Sequence, residues 1–120
     1  MKDSVVKDKS KTFALRIIKL YQFLTETSER REYILSKQAV RSGTSIGANV
    51  KEGLRGQSRA DFRAKMAIAL KEASETEYWL ELLFESGYID EKSFSSIISD
   101  NRELIKILTR IVKNSATPKP

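Results

Sequence analysis

Leu35 to Phe62, LSKQAVRSGTSIGANVKEGLRGQSRADF, is the stretch that decides the fold, because small, apolar and basic residues recur in it at helical spacing. At about 100° per residue, one side of a helix here is apolar. Ala39, Gly43 and Gly47 follow one another every four residues, so a ridge with almost no side chains lies beside the apolar stripe. Such a ridge lets a neighbouring helix come close. The apolar stripe consists of Leu35, Ala39, Ile46, Val50 and Leu54.

The glycines make this helix dependent on its neighbours. Each of the three inside it weakens a helix by roughly 1 kcal/mol relative to alanine, so tertiary contacts must offset about 3 kcal/mol. The alternative is that residues 43–45 break the stretch into two shorter helices. After it, Gly56 suits a helix end, and Ser58 followed by Asp61 is typical of an N-cap that opens the next helix.

Three further segments carry apolar residues at alternating steps of four and three, the spacing of helices in a bundle. The first is predicted to begin at Ser10 and to end before a polar connection from Thr25 to Glu29. The third helix is predicted from Ser58 to about Ser86, where Gly87 closes it, and Asp90 opens the fourth as N-cap. The predicted core positions are Phe13, Ile17, Leu20 and Leu24; Phe62, Met66, Ala69, Ala73, Thr76, Leu80 and Leu83; and Phe94, Ile98, Asn101, Ile105, Leu108 and Val112.

This pattern predicts an all-α protein, an antiparallel up-down four-helix bundle that is oligomeric. The bundle is expected over residues 10–113, between a flexible N-terminus at 1–9 and a disordered tail at 114–120. The polar Asn101 within the fourth apolar stripe either fixes the register of the helices or sits at the edge of the stripe and reaches water.

Composition excludes several kinds of site. The 120 residues contain no Cys and no His, which rules out disulfides, thiolate nucleophiles, most zinc sites and the commonest general base. We therefore expect no catalytic residues, no cofactor and no metal, and a protein that is not an enzyme. A metal site at Glu72 and Glu75 is disfavoured, because di-metal bundles use histidine as well.

With no signal peptide or membrane span in the sequence, a cytoplasmic location is expected.

The net charge of +6 is unevenly distributed. Residues 30–71 hold ten Lys and Arg against three Asp and Glu, whereas residues 72–91 hold seven acids and no base. The basic segment is the best candidate for binding nucleic acid through its phosphates, although a solvated face that only keeps the protein soluble is the alternative. The acidic helix of one subunit could also neutralise the basic helix of another. The candidate residues, called the predicted basic face, are Arg30, Lys37, Arg41, Lys51, Arg55, Arg59 and Arg63.

The third helix carries apolar residues on a second side, where a bundle helix is normally polar. A large apolar set that faces away from the core needs another surface to cover it. A homo-oligomer interface is therefore predicted, and a ring closes its interfaces where a filament does not. The alternative is that Trp79 folds onto a neighbouring loop. The predicted interface residues are Ala64, Ile68, Trp79 and Leu82.

The run RSGTSIGANVKEG at residues 41–53 resembles the signature of the 23S rRNA intervening-sequence protein family, which includes accessory variability proteins of diversity-generating retroelements. Many relatives carry Pro where this chain has Gly47. The resemblance implies homopentameric rings of four-helix bundles with a positively charged channel or face, and nucleic acid or a reverse transcriptase as partner. It implies no known reaction and no membrane. Further matching residues are Arg55, Ser58, Phe62, Ala69, Ser74, Glu75 and Glu77.

Two polar residues of this run, Asn49 and Glu52, lie between the basic and apolar sides of the second helix. They could form a site. The alternative is a hydrogen-bonded pair that satisfies polar groups at the contact with the third helix, through Ser74 or Glu77.

Overall fold

The computed structural model describes residues 2–115, and within them the chain is helical without a strand. The helices are α1 (Lys2–Gln22), α2 (Leu35–Leu54), α3 (Arg59–Glu85) and α4 (Glu91–Asn114). They pack around one apolar core and form an elongated body of 57 × 23 × 21 Å, which fits a four-helix bundle. The predicted all-α class is confirmed. Over the described range, no helix has the length and apolar content that crossing a membrane requires.

Where two neighbouring helices touch, residues later in one helix contact residues earlier in the other. Between α2 and α3, the hydroxyl of Thr76 donates to that of Ser42 at 2.8 Å, whereas Glu52, farther along α2, pairs with the earlier Lys65 of α3. Each helix therefore meets its neighbour along its length. The other contacts in this order are Ile17 with Gly43 and Ser10 with Gly47, Arg16 with Asp100 and Lys9 with Glu103, and Ala73 with Asn101 and Arg63 with Val112.

The α2 helix is continuous across residues 43–45, so the alternative of a break there is wrong. The reason is the fit of α1. A Cβ atom on Gly43 would lie 3.0 Å from the side chain of Ile17, and one on Gly47 would lie 3.4 Å from the backbone oxygen of Ser10. The two helices therefore touch along the predicted ridge, and this close contact compensates for the low helix propensity of glycine.

The α1 helix begins at Lys2, so the prediction that it starts at Ser10 is wrong. Val6 is fully buried and extends the apolar side of the helix towards its N-terminus. Its burial stabilises the helix there. Ser10 lies buried inside the helix, and its hydroxyl donates to the carbonyl of Lys7. The flexibility of residues 1–9 stays a prediction, and Met1 lies outside the described residues. Of the predicted tail, Asn114 ends α4 and residues 116–120 also lie outside.

The connection between α1 and α2 is longer than predicted. A π-helical turn, Phe23–Thr27, continues α1, and an extended segment then leads to Ile34. Thr25, predicted to be in a polar connection, is buried and donates to the carbonyl of Tyr21. Arg30 consequently precedes α2 and does not share its basic side.

The predicted N-caps of the last two helices are confirmed. The Ser58 hydroxyl accepts from the backbone N–H of Asp61 at 3.1 Å, and the Asp90 carboxylate accepts from the N–H of Ser93 at 2.7 Å. Asn101 is fully buried, and its amide donates to the carbonyl of Ala73 at 3.0 Å. The alternative that Asn101 reaches water is therefore wrong, and its side chain links α4 to α3 inside the core.

Gly87 ends α3 with a φ angle of +87°, a conformation that side-chain-bearing residues rarely adopt. Replacing Gly87 with alanine is expected to lower the free energy of unfolding by about 1 kcal/mol. Glu85→Ala, at an exposed helical position two residues earlier, is the matched control and should change it by less than about 0.5 kcal/mol. Urea unfolding of both variants measures the difference. Equal stability of the two variants would contradict the prediction.

Candidate functional site

The predicted basic face lies on the outer side of α2 for four of its seven members. Lys37, Arg41, Lys51 and Arg55 are exposed and recur at spacings that bring them onto one side of the helix. Arg30 lies apart from them, because its guanidinium sits 4.6 Å above the ring of Tyr88 in the α3–α4 turn. Four of the residues thus share one side of α2, and the prediction that Arg30 lies with them is wrong. Nucleic-acid binding by these residues stays a prediction.

Arg41 is neutralised within its own chain. Its guanidinium pairs with the carboxylates of Glu72, at 3.5 Å, and Glu75 on α3, and it also donates to the side-chain oxygen of Gln38 at 3.1 Å. Glu72 and Glu75 of the acidic segment therefore pair with Arg41 of the same chain. That the acidic helix neutralises the basic helix of another subunit stays a prediction. Two carboxylates hold Arg41 against the protein, so it is a poor phosphate ligand.

Cations from three helices gather at the end of the bundle where the α2–α3 turn lies. The guanidinium of Arg63 donates to the carbonyl of Val112 at 3.3 Å, which brings the start of α3 and the last turns of α4 together. No ion pair joins any of these cations to another residue within 4–115. We call this group the basic end: Lys51, Arg55, Arg59, Arg63, Lys106, Arg110 and Lys113.

Sequence reasoning missed the three α4 cations of the basic end. They lie 35 residues or more beyond the end of the basic segment 30–71, so a count along the chain separates them from it. A signal was nevertheless present. In an up-down bundle, the end of the fourth helix lies beside the turn between the second and third helices. The predicted fold therefore already implied that these cations lie near the basic segment.

Acids dominate the opposite end of the bundle. Glu81 and Glu85 lie in the last turns of α3, and Asp90 and Glu91 begin α4. The bundle is 57 Å long, whereas screening at physiological salt acts over about 8 Å. The acids therefore do not cancel the field of the basic end for a ligand that approaches it.

Glu32, also at the acidic end, is a buried carboxylate with a structural role. It accepts hydrogen bonds from the backbone N–H groups of Ile34, Leu35 and Ser36 at 3.0, 3.0 and 2.7 Å, and so caps the start of α2. Burial acts to raise the pKa of Glu32, but these backbone hydrogen bonds outweigh it and hold the pKa below its ordinary value. The pKa of Asp90 is lowered by the N–H of Ser93 in the same way. Both carboxylates cap helices.

Asn49 and Glu52 do not form the predicted pair. The Asn49 amide donates to the carbonyl of Ser45 in its own helix at 2.8 Å, and Glu52 lies 3.7 Å from the ammonium of Lys65. Each side chain thus has its own separate partner, and the predicted link through Ser74 or Glu77 is wrong.

The predicted interface residues do not all face outward. Ala64 and Ile68 are exposed, and Leu82 is partly buried. Trp79 packs against the core of its own chain, with its indole nitrogen buried, because it lies on the flank of α3 rather than opposite the core. Its neighbour Tyr78 is the aromatic residue of α3 that is exposed instead. Their role in an interface stays a prediction.

The acids of the described region form no group of three that could hold a metal ion. Five of the thirteen residues of the signature run 41–53 are buried and serve packing. Its buried members are Ser42, Gly43, Ile46, Val50 and Gly53, which lie along the side of α2 that meets α1 and α3.

The fold has a counterpart of known structure. The chain is 57% identical to a protein of unknown function from the S23 ribosomal protein family of Bacteroides thetaiotaomicron VPI-5482, whose crystal structure superposes with a TM-score of 0.90. The match covers 94% of this chain and 99% of that chain.

No curated protein shows significant similarity to the sequence. The model of one family, described as 23S rRNA-intervening sequence protein, matches residues 2–110. This range takes in all of α1, α2 and α3 and most of α4. The chain therefore belongs to the 23S rRNA-intervening sequence protein family.

Proposed function

We propose that this protein is a non-enzymatic, homo-oligomeric four-helix bundle that binds the phosphate backbone of nucleic acid through its basic end. The observation that carries the proposal is the convergence of seven cations from α2, α3 and α4 without ion pairs among the described side chains. Phosphates bound by such cations release their counterions, which favours association. Contacts to phosphate carry no sequence information, so affinity should depend little on sequence.

The architecture that we propose is an antiparallel up-down bundle assembled into a homopentameric ring. The opposite order of the contacts between neighbouring helices supports the antiparallel arrangement. The ring number rests on the family resemblance alone. The proposal of a cytoplasmic location rests on the composition alone. The family's description refers to 23S rRNA, which makes RNA the first nucleic acid to test.

Fluorescence anisotropy of labelled RNA and duplex DNA, titrated at about 50 and 200 mM salt, tests the proposal. Affinity is expected to fall steeply with salt, with a slope set by the number of phosphates contacted. The double variant Arg55→Glu with Arg59→Glu should weaken binding at least about tenfold, because it reverses two charges of the basic end.

Lys37→Glu with Lys92→Glu is the matched control, because it makes the same change in net charge at exposed positions near the other end of the bundle. It should change affinity by less than about threefold. Equal losses in the two variants would show an effect of net charge alone and contradict a site at the basic end. No binding of either nucleic acid at about 50 mM salt would remove the proposal.

The alternative is a scaffold that docks a partner enzyme such as a reverse transcriptase. Its support is a groove of about 570 Å³ between α1 and the α3–α4 turn, with the exposed ring of Phe23 on its wall and Leu20, Ile89 and Ile97 also lining it. Exposed aromatic side chains beside an apolar groove are typical of protein interfaces. Absence of nucleic-acid binding would favour this alternative.

A further inference from the structure

Two stretches of the chain, one on α3 and one on α4, carry cations and no acid. Residues 62–71 and 104–114 contain neither Asp nor Glu. Five cations within them are exposed, and none of the five forms an ion pair with another residue that the structure describes. We call these five residues the α3–α4 face: Arg63, Lys71, Lys106, Arg110 and Lys113.

The two stretches lie side by side on the bundle. The guanidinium of Arg63 donates to the carbonyl of Val112 at 3.3 Å, which joins the start of α3 to the last turns of α4. The guanidinium of Arg102 lies 3.6 Å from the carboxylate of Glu77, so this side of α4 borders α3. Lys106 follows one turn later on the same side, and steps of four and three residues keep the other two α4 cations near it. The cations of both helices therefore share one surface.

Where other helices border each other, acids accompany the cations. Between α2 and α3, Arg41 and Lys65 form ion pairs with glutamates. Between α1 and α4, Lys9 and Arg16 form ion pairs with acids of α4. On α1, Asp8 is exposed among the lysines. The α3–α4 face differs from these places because it offers phosphates several cations with no acid among them.

The dimensions of the α3–α4 face fit a nucleic-acid groove. From Arg63 to Lys71 the α3 helix rises about 12 Å, and from Lys106 to Lys113 the α4 helix rises about 10 Å. Packed helices lie about 8–10 Å apart. The grooves of a duplex are about 6 to 12 Å wide, and a length of about 12 Å corresponds to three or four base pairs. The cations of α3 can therefore reach one strand while those of α4 reach the other.

No aromatic ring belongs to the α3–α4 face. Proteins that bind single strands combine cations with aromatic side chains on which bases stack. Tyr78 is exposed on the same side of α3, but it lies about 10 Å beyond Lys71. Glu81 and Glu85 follow it, and their carboxylates would repel a phosphate backbone that extended this far. The face thus favours a ligand that is recognised by its phosphates and not by its bases.

From this geometry we infer that the α3–α4 face binds a nucleic-acid duplex by contacting the phosphates of both strands across one groove. The inference rests on the nucleic-acid binding of the proposed function, and it names the form of nucleic acid and the face that binds it. Base pairing holds the two rows of phosphates at a fixed separation, which two rows of cations on packed helices can match. A single strand would have to fold back on itself to reach both rows.

Fluorescence anisotropy with one labelled strand, alone and annealed to its complement, tests the form of nucleic acid. RNA and DNA strands are each measured at about 50 and 200 mM salt. The annealed duplex is expected to bind at least about tenfold more tightly than the single strand, because it presents phosphates to both helices. Tyr78→Ala is expected to change the affinity for either form by less than about threefold, since no base stacks on this ring.

A double variant tests the face. Lys71→Gln with Arg110→Gln removes one cation from each helix, and neither side chain has an ion-pair partner among the described residues. Duplex binding at about 50 mM salt should weaken at least about tenfold, and the slope of log affinity against log salt should fall by about 2. Lys7→Gln with Lys11→Gln is the matched control. It removes the same charge from exposed positions of α1 and should change affinity by less than about threefold, with the slope unchanged.

Circular dichroism of each variant checks that the helices are kept. A single strand that binds as tightly as the duplex, or a large loss in Tyr78→Ala, would overturn the inference and leave nucleic-acid binding in place. Equal losses in the two double variants would overturn the assignment to the α3–α4 face, because they would show an effect of net charge alone. If neither form of RNA or DNA binds at about 50 mM salt, the proposed nucleic-acid binding and the inference both fall.

Discussion

Replacing Gly43 with leucine is expected to lower the free energy of unfolding by about 3 kcal/mol, at the upper end of the usual cost of overpacking a core. Even a Cβ atom at this position would approach two side-chain carbons of Ile17 to 3.0 Å. The further atoms of leucine have no free volume between α1 and α2, so the two helices must separate. This separation would expose apolar surface on both.

Ala48→Leu is the matched control for this substitution, because it adds a leucine to an exposed position of the same helix. Its effect should stay within about 0.5 kcal/mol. Urea unfolding followed by circular dichroism measures both variants. A Gly43→Leu protein as stable as Ala48→Leu would show that α1 and α2 do not touch at Gly43.

Replacing Glu32 with alanine is expected to cost about 3 kcal/mol. Glu32 is 7% exposed, and its carboxylate accepts from three backbone N–H groups at the start of α2, of which that of Ser36 is buried and those of Ile34 and Leu35 are partly buried. The substitution leaves all three without this partner. Glu32→Gln keeps the size of the side chain but loses its charge, so it should cost less. Glu29→Ala, at an exposed position of the same connection, serves as control and should have little effect.

The contribution of Glu32 should depend on pH in a defined direction. Its pKa in the folded protein is below the ordinary value of 4.5, so the stabilisation is complete above that value and is lost as the pH falls through the folded pKa. The difference in unfolding free energy between wild type and Glu32→Gln should therefore shrink between about pH 5 and pH 2. Asp90 titrates in both proteins and cancels in this difference. A difference that is constant over this range would contradict the role of the ionised carboxylate.

The sequence predicted the helices well where their ends carry local signals. Ser58 and Asp90 cap α3 and α4 as their spacing required, because the hydrogen bonds involved join residues three apart. Glu32 was missed as a cap, since its position before α2 matched no expected serine or aspartate. Ser10 was wrongly given that role for α1, because a serine inside a helix can bond to its own backbone.

The candidate site could be predicted only in part. Periodicity correctly brought Lys37, Lys51 and Arg55 to one side of α2. It could not show that Arg41 is neutralised by α3, since an ion pair between helices depends on their register. Nor could it separate Trp79 from Tyr78. The two neighbours differ by about 100° on the helix, and the exact position of α2 against α3 decides which of them is exposed.

By itself, the sequence determined that the chain is helical, where its apolar sides lie and that its charges are segregated. These properties follow from the spacing of residues along a single helix, which the local backbone geometry sets. The tertiary structure alone decided that cations of α2, α3 and α4 share one end, and that Arg41 is neutralised by carboxylates of α3. Such relations join residues far apart in the chain, so they exist only once close packing against α2 fixes the register of the helices.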